Sequence, residues 1–483
     1  MLDRDRGFSI DEQLTRSIGG TRARYETPGS AARSGLSARM SQDMREAELR
    51  SEQRNFGIHS RRKRGRIGSR RRTVYLTVGL FMLLYMASAV AFAVMYEPNL
   101  QFFSYYVVNY DDGFIRRGLG GEIVDLFPAD SYFTGLLVLR WLIPGLFCAA
   151  IAAVGWTVAV RFGRSERRLM LALLLPMLPF GLLRAVVVPT PDLLGATALA
   201  VFALALATPK RDRWLLVASG VYGVATAVLA LIHEAIPFLQ ALGAILAIVV
   251  LVKSKAKMQY LSAGLAVAPG LIVALAVASL GHRDASSHCV RLPHRAVEFP
   301  ILLSPRQVLD GEKAYTDFHE WTCRYITVTT GETPVVGPGQ VGWTPWIGST
   351  LTGLAVVVVS TLVIRTISHV PFAQFFRASR GRLPLVTTAT LLLLPVFVTS
   401  SDWSRWWVAI AFDMGVVYLL FASNRTESAK PATTGTRVFF AVALVVSALF
   451  PAAVAIMATE ALPPLIAQCD QLATDPMWVG ICP

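Results

Sequence analysis

Residues 70–96 read RRRTVYLTVGLFMLLYMASAVAFAVMY. Three arginines are followed by 23 residues, 74–96, without a charge. A bilayer core takes about 20 apolar residues as a helix, so this run is expected to span a membrane. The basic flank puts its N-terminal side in the cytoplasm. Upstream, residues 1–73 contain no apolar run and are rich in Arg, Ser, Gly, Ala and Glu. They are expected to form a disordered cytoplasmic tail, with some helix near Ser41–Arg54. The basic cluster at its end lies too far from the N-terminus to belong to a cleaved signal peptide.

Composition agrees. The 483 residues are 54% hydrophobic and 16% charged, against about 25% charged in soluble domains. The net charge of +14 invites a nucleic-acid reading. Its distribution argues otherwise, because 18 Arg or Lys residues face 9 acids within residues 1–73. Much of the remainder sits in short connections, where positive charge sets topology. The expected partners are therefore membrane lipids, and no nucleic acid.

Further apolar runs follow at about 134–160, 169–188, 193–208, 214–232, 235–252, 260–280, 348–367, 384–399, 407–422 and 437–457. With the first they make about eleven transmembrane helices, the fourth and ninth being short. The expected fold is an all-α, polytopic membrane helix bundle in a bacterial plasma membrane. Its transmembrane domain covers 74–457, with extracytoplasmic loops 97–133 and 281–347 and an extracytoplasmic tail 458–483. The connections at Arg161–Arg168, Lys210–Arg213, Lys253–Lys257, His369–Arg382 and Ser423–Arg437 are basic. They alternate with connections that are not, which puts the N-terminus inside and the C-terminus outside. The same topology places Cys289, Cys323, Cys469 and Cys482 on the oxidising side. The simplest pairing is Cys289–Cys323 and Cys469–Cys482, a cross-segment pairing being the alternative. The long loop also carries Tyr315, Phe318, Trp321, Tyr325, Trp343 and Trp346. These suit either interface anchors or a sugar-stacking cap.

Four polar intrusions remain, all in outward connections. Asn109–Glu122 packs Asp111-Asp112, Arg116-Arg117, Gly118, Gly120, Gly121 and Glu122 into one short stretch. Arg184 precedes Pro189-Thr190-Pro191-Asp192, a tight turn leading the fourth span. His233-Glu234 interrupts apolar sequence between the fifth and sixth spans. Asp402 and Arg405 flank Trp403 at the mouth of the tenth. Ionisable groups at membrane depth are costly and mark function by default. Arginine forks fit phosphate oxygens, and carboxylates suit a general base or a divalent metal. Local ion pairing and helix capping are the plain structural alternatives for each group.

An acidic pair in the first outer loop, directly after the first span, resembles the polytopic glycosyltransferases of the GT-C type. The resemblance implies a polyprenyl-phosphate-linked sugar donor, an outward-facing site and inversion at the anomeric carbon. It makes Asp111 or Asp112 the general base or, with Mg or Mn, a metal ligand. The string Gly113-Phe114-Ile115-Arg116-Arg117-Gly118-Leu119 departs from that pattern and resembles one found in uncharacterised bacterial membrane proteins. On this reading Arg116, Arg117, Arg184 and Arg405 would hold the lipid phosphate, and Gly118, Gly120 and Gly121 would admit it close to the backbone. His233 or Glu234 would orient a glycan acceptor or act as an alternative base, and Glu122, Asp192 and Asp402 would support the site. The alternatives are a polysaccharide polymerase or ligase using lipid-diphosphate glycans, which would lean on Arg116, Arg117 and His233, a lipid or solute transporter, and a structural membrane protein. Arg-rich, Ala-rich and Lys-poor usage points to a high-GC bacterium.

Overall fold

The computed structural model describes residues 69–95, 100–208, 212–281, 286–298, 311–323, 343–399 and 403–449. The tail before residue 69, Asp402, and the C-terminal tail with Cys469 and Cys482 lie outside the described residues. The rest is a bundle of apolar helices. In order these are α1 (Ser69–Met95), α2 (Gly118–Asp125), α3 (Tyr132–Trp156), α4 (Glu166–Leu174), α5 (Leu182–Val187), α6 (Asp192–Leu206), α7 (Asp212–Ile232) and α8 (Ile236–Leu246). Then come α9 (Ala256–Leu280), α10 (Ser286–Cys289), α11 (Trp343–Ser368), α12 (Phe372–Ser379), α13 (Leu383–Leu391), α14 (Leu394–Thr399), α15 (Trp403–Ser423) and α16 (Thr434–Leu449). Leu, Ala and Val dominate them, and a helix satisfies its own backbone where no water can.

Among the described residues eight helical stretches are long and apolar enough to cross a membrane: Arg71–Ala91, Ala129–Arg161, Glu166–Val187, Asp212–Ile232, Ala256–Leu280, Ile347–Ser368, Phe372–Val398 and Trp403–Ser423. Three apolar helices are shorter, at Asp192–Leu206, Ile236–Leu251 and Thr434–Leu449. Each of the eleven expected runs meets one of these helices, but the short ones are the fourth and the sixth, and the eleventh is described only as far as Leu449. The ninth is long because residues 372–382, read from their arginines as a connection, are helical. The third run is broken. Pro176 and Pro179 end α4 in a 3-10 turn, Leu175–Met177, and the chain restarts at α5. Phe180, in the gap, is buried against Phe412 at 5.6 Å. Irregular backbone at this depth is tolerated where protein covers it.

Helix α15 is the hub. Of its apolar window 89% is buried, and it packs on α6, α8 and α11. Helix α1 shows the opposite, with Leu76, Leu83 and Leu84 more than half exposed, as lipid-facing side chains are. Helices α7 and α9 approach backbone to backbone. A Cβ on Gly223 would stand 2.0 Å from the Leu265 carbonyl oxygen, the close approach that small residues permit between membrane helices.

The connections gather at two ends. At the basic end, Arg168 donates to the carbonyls of Phe162 (2.6 Å), Gly163 (3.0 Å) and Ser423 (2.8 Å). Arg167 donates to Ile367 O at 2.9 Å. These two residues, expected only to set topology, tie off the carbonyl ends of three helices. Beside them Glu166 accepts from Tyr75 (2.9 Å) and from Arg437 (2.8 and 3.0 Å). At the other end lie the residues around 100–125, 188–191, 233–235, 286–298 and 311–323. This end adds to the all-α expectation an antiparallel strand pair in the long loop, β1 (Ala296–Glu298) with β2 (Tyr315–Asp317), registered Val297 to Thr316.

Candidate functional site

Arg117 immediately precedes α2 with φ 67 and ψ 16, a left-handed conformation uncommon outside glycine. The turn brings its guanidinium back to the bundle, 3.2 Å from Glu234. Arg116 pairs with the same carboxylate. Glu234 sits in the turn between α7 and α8. Burial opposes its ionisation, but Arg117 and Arg116 outweigh burial and hold the carboxyl well below the usual carboxylate range. Its neighbour His233 is pushed down to about 4 by burial and by Arg117, so the ring is neutral near pH 7. The Ala235 N–H donates to His233 Nδ1 at 3.2 Å, which leaves the ring proton on Nε2. That Nε2 is buried and has no hydrogen-bond partner among the described residues.

Tyr105 links this pair to the hub helix. It lies in a 3-10 segment, Leu100–Tyr106, 5.7 Å from the His233 ring and 5.5 Å below the Arg117 guanidinium. Its hydroxyl accepts from Arg405 at 3.0 Å. Arg405, buried on α15, also reaches Asp192 at 3.2 Å and lies 4.3 Å over the Trp406 ring. Asp192 leads α6, and Arg184 of α5 acts on it electrostatically. Among the described residues four guanidiniums thus gather with two carboxylates, and His233 is neutral. Trp406 Nε1 and Tyr106 Oη are buried there without hydrogen-bond partners among the described residues.

The structure therefore brings together Arg116, Arg117, Arg184, Asp192, His233, Glu234 and Arg405. It does not put Asp111 and Asp112 among the partners of these arginines. Arg291 of the long loop pairs with Asp111 at 3.1 Å and also with Asp112. His288 places Nδ1 3.5 Å from Asp112 and Nε2 3.0 Å from the Asn109 carbonyl. Asp111 is 62% exposed and Asp112 31%. The Cys289–Cys323 disulfide forms, with Cα atoms 5.3 Å apart, and fastens this strip. The acid pair is thus a surface feature clasped by the loop. No group of three or more His, Cys, Asp or Glu side chains among the described residues is arranged to hold a metal.

Two supporting roles change. Cβ atoms on Gly118, Gly120 and Gly121 would meet the Tyr110 ring at 2.4 Å, Tyr105 O at 2.6 Å and Val108 O at 2.2 Å. The space these glycines leave is filled by the protein, so they seat α2 against the preceding stretch of chain. Glu122 accepts the Tyr110 N–H at 2.8 Å, closing the same turn. Sequence reasoning missed Tyr105, His288 and Arg291. Tyr105 is hidden in an aromatic run that reads as an interface belt. Arg291 carried a signal, being a positive charge on the less basic side.

A helix bundle with an arginine-rich, buried polar cluster at one end defines an integral membrane protein with a candidate anion site. The chain belongs to the family described as "Uncharacterised membrane protein Rv1490", whose model matches residues 75–448. That range holds every residue of the cluster and excludes the basic tail. Similar proteins are "Uncharacterized protein Rv1490" of Mycobacterium tuberculosis and "Uncharacterized protein Mb1527" of Mycobacterium bovis. Each is 37% identical over 404 residues, covering 80% of this chain and 92% of the relative. No solved structure matches.

Proposed function

We propose that this protein is an integral membrane glycosyltransferase of envelope glycan assembly, taking a sugar from a polyprenyl-phosphate donor at the outer face of a bacterial plasma membrane. The observation that carries the reading is the gathering of guanidiniums around Tyr105 beside two buried N–H donors, His233 Nε2 and Trp406 Nε1, that have no hydrogen-bond partner among the described residues. A lipid phosphate supplies acceptor oxygens for these donors and an anion that guanidinium forks hold well. The disulfide at the same end supports an outward orientation, with eleven crossings, the basic connections inside and the C-terminus outside.

In this mechanism Arg116, Arg117 and Arg405 hold the donor phosphate, with His233 Nε2–H as a neutral donor. The acceptor hydroxyl attacks the anomeric carbon and gives its proton to Asp112, or to Asp111. The bond from the anomeric carbon to the phosphate oxygen breaks, and the arginines stabilise the charge that the phosphate keeps. Glu234 is a poor base, being locked between two arginines. Asp112 must loosen its hold on Arg291 to act, which makes the loop a participant. Asp111 and Asp112 are the carboxylates that would hold a Mg or Mn ion, were one to take part.

A second reading, transport of a lipid or solute, is favoured by the broken α4–α5 helix that carries Arg184. Half-helices of this sort build transporter sites. Mass spectrometry of lipid extracts from a deletion strain separates the two. The enzyme reading expects a polyprenyl-phosphate sugar to accumulate together with an envelope glycan lacking that sugar. Complementation by Asp112→Asn that restores the glycan in full removes Asp112 as the base.

A further inference from the structure

Asp413 stands in the middle of the hub helix α15 and is fully buried. Its Oδ2 accepts the backbone N–H of Gly243 at 2.8 Å. Its Oδ1 has no hydrogen-bond partner among the described residues. Among the described residues no Arg, Lys or His acts on it, from its own helix or from those packed against it. Arg405, on the same helix, is engaged with Asp192 and Tyr105. Among the described residues the titratable side chain within its electrostatic reach is Tyr222 of α7.

The surroundings are shaped for this carboxyl. A Cβ on Gly243 would stand 2.7 Å from Asp413 Cγ and 2.3 Å from Leu199, so only glycine lets the carboxyl rest on the α8 backbone. Just beyond, α8 widens into a π turn at Ala247–Leu251, a distortion that recurs at functional sites. One turn back on the same face is Gln240, whose Oε1 is also buried without a partner. Gly195 leaves room for it, since a Cβ there would meet Gln240 Cγ at 3.1 Å. The Tyr222 hydroxyl, likewise buried, has no hydrogen bond among the described residues, and its ring stacks on Phe202 at 4.5 Å. Oxygens from three helices are thus left unspent in the core.

We propose that Asp413, with Gln240 and Tyr222, binds a single positive charge in the interior of the bundle, a proton or a sodium-sized cation. A bare carboxylate without a counter-charge is not tolerated at this depth. The donors are all oxygen, which suits a proton or a hard cation and not a soft metal. Helices α6 and α8 connect this place to the arginine cluster. Asp192 begins α6, Gly195 faces Gln240 and Leu199 faces Gly243. Seven residues of helix, about 10 Å, separate the two levels. The inference is independent of the glycosyl-transfer reading.

Infrared spectroscopy of the full-length protein in nanodiscs, with carbon-13-labelled aspartate, tests it. In sodium-free choline buffer near neutral pH, wild type is expected to show the carbonyl stretch of a protonated carboxylic acid that Asp413→Asn lacks. If that band persists on adding sodium, the site holds a proton. If it is replaced by a shifted carboxylate band, the site takes the cation. An ionised carboxylate that responds neither to sodium nor to pH around neutrality overturns the proposal. Asn accepts the Gly243 N–H through its amide oxygen, so the variant should fold. Should it not accumulate, Tyr222→Phe and Gln240→Leu are expected to move the same band, and an unmoved band in both overturns the three-oxygen site.

Discussion

His233 shows how one residue ties the site to pH. Its folded value of about 4 lies below the ordinary 6.5, through burial and the neighbouring Arg117. The unfolded chain therefore binds the proton more readily, and stability falls as pH drops from about 6.5 towards 4. The loss is on the order of 3 kcal/mol. Thermal unfolding across that window should show the loss in wild type and a smaller one in His233→Gln. Glu234 acts lower, because its contribution is full above its unfolded value near 4.3 and disappears only as pH falls through its depressed folded value. The His233-Glu234 pair was legible because two ionisable groups interrupt an apolar run. Its partners were not, since Glu234 and Arg117 are 117 residues apart and contacts at that range leave no local pattern. The partner of Asp111 and Asp112 was hidden for the same reason. Their adjacency is visible, but the arginine that clasps them comes from 180 residues away.

Among the elements, helix existence was legible and helix continuity less so. Apolar length alone marks a span, whereas Pro176 and Pro179 inside the third run divide it into α4 and α5. The arginines of 372–382 read as loop, yet Arg377 on α12 and Arg380 in the turn after it lie outward and leave the backbone helical. The α7–α9 contact is the most sterically exacting, since the backbones meet at Gly223. Gly223→Leu has no room beside the Leu265 carbonyl. It should lower the unfolding midpoint by the equivalent of about 2 kcal/mol or more. Gly220→Leu, with nothing within 4 Å of its Cβ position, should change it little. Equal effects would mean that the two helices do not approach as described.

At the scale of the whole molecule, one division organises everything. Basic connections knot one end through Arg167, Arg168 and Glu166, and the arginine cluster and the disulfide occupy the other. Cytoplasmic reporters fused after Val160 and after Lys257 should be active, and a fusion after Leu280 should not be. The central claim is that the cluster around Tyr105 seats a lipid phosphate. Calorimetric titration of the full-length protein in nanodiscs with a short-chain polyprenyl monophosphate measures this directly. Wild type is expected to bind it and not the matching polyprenol, with affinity reduced about tenfold or more in Arg116→Gln and Arg405→Gln and unchanged in Asp112→Asn. Equal binding of phosphate and alcohol, or undiminished binding in both arginine variants, would contradict the account.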